Sequence, residues 1–270
     1  MTDRYAVIGH PVAHSLSPLI HSEFARQTGQ DLEYVKVLAP LAGFVTCVEK
    51  FRAEGGKGAN VTLPFKLEAF RFASRLTPRA QHAQAVNTLK FVGDATLGDN
   101  TDGVGLVRDL TINLQFSLKG KSVLLLGAGG AARGALVPLL EQEPAELCLV
   151  NRTPDRASTL VREFTHHERL TTVPLEALAG RSFDLVINAT SASVHGELPQ
   201  LPPALLDRHT FAYDMGYSRG ATPFIRFALT QGVASAVDGL GMLVEQAAES
   251  FVLWRGVRPD TQPVLRQLRA

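Results

Sequence analysis

A lysine and an aspartate in the first half of the chain are candidates for acid–base chemistry on a carbonyl group. Reduction of a carbonyl needs a proton donor for the oxygen that would otherwise become an alkoxide. Lys66 could supply that proton if a carboxylate such as Asp102 kept its ammonium charged and oriented. Their separation along the chain does not show that they meet, so the pair is a hypothesis.

A set of polar residues near predicted strand ends could bind a small ligand that carries several hydroxyl groups. Each polar group of a buried ligand needs a hydrogen-bonding partner to offset its desolvation. The candidates are Ser15, Ser17, Asn60, Thr62, Lys66, Asn87 and Asp102. Taken singly, each is better explained by local structure, as a helix cap, a turn residue or a surface lysine.

A glycine-rich turn in the middle of the chain is typical of a dinucleotide site. The apolar run 122–126 leads into GAGGAA, which matches G-x-G-x-x-G/A between a strand and a helix. Gly127 suits the tight turn, Gly129 lets a diphosphate approach the backbone, and Ala132 is small enough for close helix–sheet packing. A structural glycine turn is the alternative, and the flanking strand and helix favour a cofactor. The predicted cofactor-binding residues of this turn are Gly127, Ala128, Gly129, Gly130 and Ala131.

The end of the next strand predicts which nicotinamide cofactor is used. An enzyme specific for NAD usually carries Asp or Glu there to hold the ribose 2′-hydroxyl, whereas this chain has Asn151, Arg152 and Thr153, followed by Arg156. Arginines pair with a 2′-phosphate, which a carboxylate would repel. The sequence therefore predicts NADP, although the same residues also suit a solvated helix start.

Short apolar runs alternate with amphipathic stretches along the whole chain, which predicts β-α-β units and an α/β fold. The predicted strands are 5–8, 32–38, 58–61, 86–92, 122–126, 146–150, 184–188 and 211–213. Ser17 and Pro18 favour a helix start, with the serine as cap. A helix is also expected after Asp102, with a domain hinge between about 102 and 121.

The composition points to a globular protein rather than to a nucleic-acid-binding or membrane protein. The 270 residues are 45% hydrophobic and 20% charged with a net charge of +1, so two domains without a strong overall field are expected. Cys47 and Cys148 are too few for a disulfide framework, and the start of the chain lacks a signal-peptide pattern. These features predict a reducing cytoplasm.

The histidines near the start of the chain do not predict a metal site. His10, His14 and His21 lie close together in sequence without matching cysteine or carboxylate ligands. Solvated histidines, or histidines on a helix face, are therefore expected, and no metal is predicted.

Several motifs together resemble the shikimate dehydrogenase family in order and spacing, over nearly the whole chain. The motifs are SLSP at 15–18, NVTLPFK at 60–66, AVNT at 85–88, GDNTDG at 98–103, GAGGAA at 127–132, NRT at 151–153, NAT at 188–190 and DGLGMLVEQA at 238–247. The resemblance implies NADPH-dependent reduction of 3-dehydroshikimate to shikimate in the biosynthesis of chorismate and aromatic amino acids. It also implies a monomer or homodimer whose partner is this small-molecule substrate.

The family resemblance implies an α/β fold of two domains with a cleft between them. Residues 1–103 with 238–270 would form a mainly parallel-sheet substrate-binding and catalytic domain, and residues 104–237 a Rossmann-like NADP-binding domain. Pro78 is a departure, because related enzymes can place an acidic residue there near the cofactor.

The resemblance also assigns roles to individual residues. Lys66 would be the acid–base residue, with Asp102 as its partner and as a ligand of a substrate hydroxyl. Ser15 and Ser17 would hold the substrate carboxylate. The residues implied around the ring hydroxyls are Asn60, Thr62, Asn87, Asp102 and Gln246, with Tyr217 near the substrate and Met215 and Gly239 near the nicotinamide.

Three points stay open at this stage. The residues Asn188, Ala189 and Thr190 could line the nicotinamide site or form a simple turn. A quinate/shikimate dehydrogenase of broader specificity, which could use NAD, is the nearest alternative. A non-catalytic shikimate-binding sensor is the alternative from another class. It fits less well, because it does not explain why both Lys66 and the glycine motif are present.

Overall fold

The computed structural model describes residues 2–164, 166–190, 198, 201–202, 205–218 and 220–270. The chain divides into two compact units. The first unit consists of Met1–Gly105 with Leu243–Ala270, and the second unit of Leu106–Met242. Each unit contains a six-stranded sheet.

The sheet of the first unit is mixed. Its strand order is β2-β1-β3-β5-β6-β4, where β1 pairs in parallel with β2 and β3, β4 pairs in parallel with β6, and β5 runs antiparallel to both β3 and β6. The strands are β1 Asp3–Gly9, β2 Leu32–Leu38, β3 Gly56–Val61, β4 Arg75–Leu76, β5 Thr88–Val92 and β6 Ala95–Asp99. The helices that begin in this unit's first segment are α1 Ser17–Thr28, α2 Phe44–Ala53, α3 Lys66–Phe72, α4 Pro78–Ala83 and α5 Asp102–Arg108.

Two strands of this sheet, β4 and β6, were not predicted from the sequence. Strand β6 is short and contains a single large apolar residue, Leu97, so it lacks the alternating pattern that marks a half-buried strand. It forms a hairpin with β5 around Gly93, whose φ of 55° suits a tight turn. Strand β6 determines where residues 100–102 lie, because they follow directly from its end.

The second unit contains a parallel sheet with strand order β12-β11-β10-β7-β8-β9. The strands are β7 Ser122–Leu126, β8 Glu146–Val150, β9 Leu170–Thr172, β10 Leu185–Asn188, β11 Phe211–Asp214 and β12 Ser235–Asp238. The helices are α6 Gly130–Leu140, α7 Pro154–Arg162 and α8 Pro223–Thr230, with a π-helical segment at Asp109–Asn113 and a 3-10 turn at Leu175–Leu178. The central strands are buried on both faces, as expected of a parallel sheet covered by helices.

The final helices, α9 Leu240–Arg255 and α10 Gln262–Arg269, supply apolar residues to the first unit. Val244, Ala247 and Phe251 of α9 are buried against Ile20 and Phe24 of α1. The apolar stripe of α9 is therefore a packing surface. Among the described residues, no helix is long and apolar enough to cross a bilayer.

The environment of His21 differs from the solvated histidine that the sequence allowed. Its ring is fully buried on α1 and stacks on the ring of Tyr34, with centroids 4.3 Å apart. Burial lowers the pKa of His21 to about 3, and the nearby Asn60 amide opposes part of this effect. The folded protein therefore disfavours the charged imidazole.

This burial predicts an acid-sensitive contribution to stability. The pKa of His21 is about 3 in the folded chain against an ordinary value of 6.5, so below about pH 6.5 the unfolded chain binds a proton that the folded chain does not. Above about pH 6.5, neutral His21 makes its full contribution to the free energy of unfolding. Below that pH the contribution falls by up to about 1.4 kcal/mol per pH unit. Because a phenyl ring suits this aromatic site, His21→Phe is expected to lose less stability between pH 6.5 and pH 4 than the wild type.

Chemical denaturation at a series of pH values checks this prediction, with the exposed His14→Phe as the matched control. We expect His14→Phe to follow the wild-type curve. Identical pH dependence in His21→Phe and the wild type would show that His21 does not make this contribution.

Candidate functional site

Lys66 and Asp102 form an ion pair in the first unit. Lys66 is the first residue of α3 and Asp102 the first residue of α5, and the lysine Nζ donates a hydrogen bond to Asp102 Oδ2 at 2.6 Å. The lysine side chain is 27% exposed and that of the aspartate 10%. A charge-assisted bond of this length fixes the direction of the ammonium while leaving it within reach of solvent or a ligand.

Asn87 connects this ion pair to the rest of the sheet edge. Its Oδ1 accepts the backbone N–H of Thr101 at 2.9 Å, and its Nδ2 donates to Asp102 Oδ1 at 2.8 Å. Because a backbone N–H can only donate, this contact determines which end of the amide faces Asp102. The two oxygens of Asp102 thus have different partners, Lys66 on one side and Asn87 on the other.

The mixed sheet explains why these residues meet. In the strand register Asn60 pairs with Thr88 and Thr88 pairs with Asp99. The antiparallel direction of β5 therefore brings its first residue beside the last residues of β3 and β6. As a result Asn87 and Asp102, which flank these strand ends, face one another at a single edge of the sheet.

Asn60 and Gln246 belong to the same buried polar network. Asn60 Nδ2 donates to Ser250 Oγ at 2.9 Å and to Thr88 Oγ1 at 3.1 Å, while its Oδ1 accepts from the Tyr34 hydroxyl at 2.7 Å. Gln246 Oε1 lies 3.3 Å from Asn87 Nδ2. The predicted substrate residues Asn60 of β3, Asn87 just before β5 and Gln246 of α9 are therefore joined by hydrogen bonds.

Thr88, Thr101 and Ser250 are members of this network that the sequence analysis did not single out. The Ser250 hydroxyl is 2.8 Å from that of Thr88 and 3.3 Å from that of Thr101. Helical spacing could have found Ser250, because it follows Gln246 by one turn on the same face of α9. Thr88 and Thr101 lie within the motifs AVNT and GDNTDG.

The structure places Ser15 and Ser17 at the start of α1, with roles that differ from the predicted cap. Ser17 is the first residue of the helix, and the capping position before it is Leu16, which makes no side-chain cap bond. The Ser15 hydroxyl instead accepts the Ser17 N–H at 3.3 Å and donates to the Ser17 hydroxyl at 3.2 Å. The prediction of Ser17 as the cap is wrong because the helix begins one residue earlier than predicted, with Ser17 as its first residue and Pro18 as its second, where a proline needs no donor.

Thr62 lies just beyond the end of β3. Its backbone N–H donates to the Ile8 carbonyl at 3.0 Å, and its carbonyl accepts from Phe65 N at 3.1 Å. These bonds hold the turn that leads into α3. Among the residues that the structure describes, the half-buried Thr62 hydroxyl has no hydrogen-bonding partner, so it is available to a ligand.

In the second unit the glycine motif joins β7 to α6, as the sequence predicted. Gly127 has a φ of 107°, and a Cβ there would lie 3.1 Å from the Ala189 carbonyl oxygen. A Cβ on Gly129 or Gly130 would instead meet nothing within 4 Å. The glycine at 127 is thus required by the turn itself, whereas the next two leave open space at the N-terminus of an eleven-residue helix. Backbone N–H groups at such a terminus bind phosphate.

The segment after β8 contacts this loop through Asn151. Asn151 Oδ1 accepts the Ala128 N–H at 3.2 Å, and its Nδ2 donates to the Thr153 carbonyl at 2.9 Å. Arg152, Thr153 and Arg156 are exposed. Within the described parts of the chain neither arginine forms an ion pair, so both guanidinium groups are available to an anion.

The remaining predicted residues lie at the ends of β10, β11 and β12. Asn188 Oδ1 accepts from the N–H of Thr190 at 3.1 Å and from its hydroxyl at 2.7 Å, which is a local turn. Gly239 N donates to the Gly216 carbonyl at 2.9 Å, and a Cβ on Gly239 would lie 2.3 Å from the Met215 carbonyl oxygen. Met215 and Gly239 are therefore adjacent.

Tyr217 follows shortly after β11 and is half-buried. Burial raises the pKa of its phenol above the ordinary value. The hydroxyl therefore stays protonated near neutral pH and can donate a hydrogen bond.

Among the described residues, no group of three or more His, Cys, Asp or Glu side chains could hold a metal ion.

Three family models match consecutive parts of the chain. Residues 7–89 match the shikimate dehydrogenase substrate binding domain, residues 110–196 match shikimate/quinate 5-dehydrogenase, and residues 239–269 match the shikimate 5-dehydrogenase C-terminal domain. The first match contains the sheet edge around Asn60 and Asn87, and the second contains the glycine loop.

Individual proteins match over the full length. Shikimate dehydrogenase (NADP(+)) of Nitrosospira multiformis is 59% identical over all of this chain and 98% of its own length. An Ael1 enzyme from Pseudomonas putida is 52% identical, with a TM-score of 0.94 over 99% of this chain and 98% of its own. Shikimate 5-dehydrogenase of Thermus thermophilus, solved with NADP(H) and shikimate, is 36% identical with a TM-score of 0.87 and covers 99% of both chains. These similarities confirm the predicted fold class, and the chain belongs to the shikimate dehydrogenase family.

Proposed function

We propose that this chain is an NADP-dependent shikimate dehydrogenase, which interconverts shikimate and 3-dehydroshikimate in the biosynthesis of chorismate and aromatic amino acids. The comparisons support the reaction and the cofactor, since the curated relatives are named shikimate dehydrogenase (NADP(+)). The observation that carries the proposal is the Lys66–Asp102 ion pair within a network of neutral hydrogen-bonding side chains. Such a site suits a ligand with several hydroxyl groups and a reaction that moves one proton.

Lys66 performs the acid–base step in this proposal. In the direction of reduction, the Lys66 ammonium donates a proton to the carbonyl oxygen while the carbonyl carbon gains a hydride, and a secondary alcohol is formed. When bound, NADPH supplies that hydride. The partial exposure of Lys66 allows its neutral amine to recover a proton from solvent, and Asp102 Oδ2 keeps the ammonium directed during the next turnover.

The substrate contacts that we propose come from polar side chains of the first unit and from Tyr217. Ser15 and Ser17 would hold the carboxylate through their hydroxyl groups at the start of α1. Asn60, Thr62, Asn87, Asp102 and Gln246 would surround the ring hydroxyls, and Tyr217 would add a phenol donor. The first unit is thus the substrate-binding unit in this proposal.

The second unit fits NADP. Gly127 to Ala131 would receive the diphosphate at the N-terminus of α6, and the exposed Arg152 and Arg156 would pair with the 2′-phosphate, assisted by Asn151 and Thr153. Met215 and Gly239 would lie against the nicotinamide.

Two glycine substitutions separate phosphate binding from folding. Gly129→Val is expected to weaken NADPH binding by about 10-fold or more, because the added side chain would occupy the space beside the N-terminal amides of α6. Its extended backbone tolerates a side chain, so the loss of stability should stay near the cost of about 1 kcal/mol for a poor residue at the N-cap of α6. Fluorescence titration with NADPH and chemical denaturation provide the two measurements.

Gly127→Val is the matched control for this experiment. It is expected to destabilise the second unit, because its positive φ and the close Ala189 carbonyl leave no room for a side chain. Full NADPH affinity in Gly129→Val would contradict the placement of the phosphates.

The assay that tests the proposed function compares four substrate pairs. Initial rates of nicotinamide reduction are measured for shikimate and quinate, each with NADP+ and NAD+. We expect shikimate with NADP+ to give the highest kcat/KM. Comparable rates with quinate would favour the quinate/shikimate dehydrogenase, and tight shikimate binding without any turnover would favour the sensor.

We propose further that the enzyme works as a monomer or homodimer in the cytoplasm. Cys47 and Cys148 are both free thiols, which fits a reducing compartment. Light scattering of the purified chain measures the oligomeric state.

A further inference from the structure

Asp99, the last residue of β6, is a buried carboxylate at the base of the segment that carries Asp102. It is only 1% exposed and accepts hydrogen bonds from the Thr77 hydroxyl at 2.6 Å, from Arg79 Nε at 2.6 Å and Nη2 at 2.5 Å, and from the Asn100 N–H at 2.8 Å. Removal of one partner from a buried ion pair is costly, because the other charge is left without compensation. The two parallel bonds from Arg79 also fix the plane of the carboxylate.

Asp99 is linked to the proposed catalytic pair by hydrogen bonds of the next two residues, Asn100 and Thr101. Asn100 Oδ1 accepts the Asp102 N–H at 3.1 Å, and its Nδ2 donates to the Ala85 carbonyl at 3.0 Å. The Thr101 N–H is bound by Asn87. Every residue from Asp99 to Asp102 is thus held by a side chain, and the chain of contacts begins at the Arg79 guanidinium.

Arg79 is itself held near the start of α4. Thr77 caps this helix by accepting the Ala80 N–H at 3.3 Å, and Pro78 occupies its first turn. Glu249 of α9 lies 3.5 Å from Arg79 Nη1 and also pairs with Arg258. Glu249 therefore has two cationic partners, of which only Arg79 contacts Asp99.

We propose that Arg79 is a positioning residue, which acts through Asp99 to hold Asp102 and Lys66 in their reactive geometry. This inference rests on the proposed dehydrogenase function. Arg79 contacts neither Lys66 nor Asp102 in the hydrogen bonds of the described residues, so its effect on proton transfer is indirect. A purely structural arginine would lower stability and leave the chemistry of the remaining folded enzyme unchanged.

The test compares Arg79→Ala, Arg79→Lys and Arg258→Ala by shikimate oxidation with NADP+ and by thermal unfolding. Arg79→Ala is expected to lower kcat by about 10-fold with little change in the KM for NADP+, because a small displacement of the acid–base pair slows proton transfer. Arg79→Lys should recover part of the loss, since an ammonium keeps the charge but not the two-pronged contact. Arg258→Ala, which removes the other partner of Glu249, should lower the melting temperature and keep kcat within about twofold of the wild type.

A double-mutant cycle with Lys66→Ala separates positioning from a general structural effect. If Arg79 acts through the Lys66–Asp102 pair, Arg79→Ala lowers the residual kcat of Lys66→Ala by much less than the factor seen with Lys66 present. Equal factors in the two backgrounds, or equal losses of kcat in Arg79→Ala and Arg258→Ala, would overturn the inference. Should Arg79→Ala fail to fold, Arg79→Lys carries the same cycle. A wild-type chain without shikimate oxidation would instead overturn the proposed function.

Discussion

Replacing Lys66 with alanine is expected to lower kcat for shikimate oxidation by about 100-fold or more and to change shikimate affinity only modestly. The structure gives the reason, since the ammonium makes a 2.6 Å bond to Asp102 and is the titratable donor of a network that otherwise consists mainly of neutral amides and hydroxyls. The remaining polar groups still bind the substrate hydroxyls. Steady-state kinetics give kcat, and calorimetric titration with shikimate gives the dissociation constant.

Lys57→Ala is a suitable control for the loss of a lysine. Lys57 is exposed on β3, the strand that also carries Asn60, and its removal should leave kcat unchanged. Equal losses of binding and turnover in Lys66→Ala would assign Lys66 to substrate binding rather than to proton transfer. Undiminished turnover would exclude the role altogether.

Replacing Arg152 with glutamine is expected to raise the KM for NADPH by about 10-fold or more and to leave the KM for NADH nearly unchanged. A charge-assisted hydrogen bond between a guanidinium and a phosphate contributes about 1.5–3 kcal/mol, and NADH lacks the 2′-phosphate that would receive it. Arg152 is exposed directly after β8, and Asn151 holds the adjoining backbone through the Thr153 carbonyl. This bond constrains the backbone beside Arg152.

Arg162→Gln is the matched control, because Arg162 is exposed at the other end of α7. Arg162→Gln should leave the KM values for NADPH and NADH unchanged. If Arg152→Gln raised the KM values for NADPH and NADH by the same factor, recognition of the 2′-phosphate by Arg152 would be refuted.

The parts of the fold that could be predicted from the sequence are those with strong local signals. Strands β7 and β8 are short runs of apolar residues buried on both faces, and their predicted limits agree with the structure. The glycine motif between β7 and α6 could also be predicted, because Gly127 has a φ of 107°, which other residues adopt only with strain.

The parts that could not be predicted depend on tertiary pairing. Strand β6 has little apolar pattern, and it forms because β5 supplies hydrogen bonds along its whole length. The same pairing brings Asp102 to Lys66, which is why their contact could not be read from spacing. His21 lies on a helix, as one of the two expectations had it, but its burial could not be predicted because it depends on Tyr34 and Phe251, both distant in sequence.

Proton transfer by Lys66 is tested most directly by a single turnover, in which excess enzyme with saturating shikimate is mixed with limiting NADP+ and the formation of NADPH is followed by absorbance. We expect one rapid phase for the wild type and a phase slowed by about 100-fold or more for Lys66→Ala at the same saturating shikimate concentration. Equal rates in the two proteins, or no NADPH from the wild type, would contradict proton transfer by Lys66.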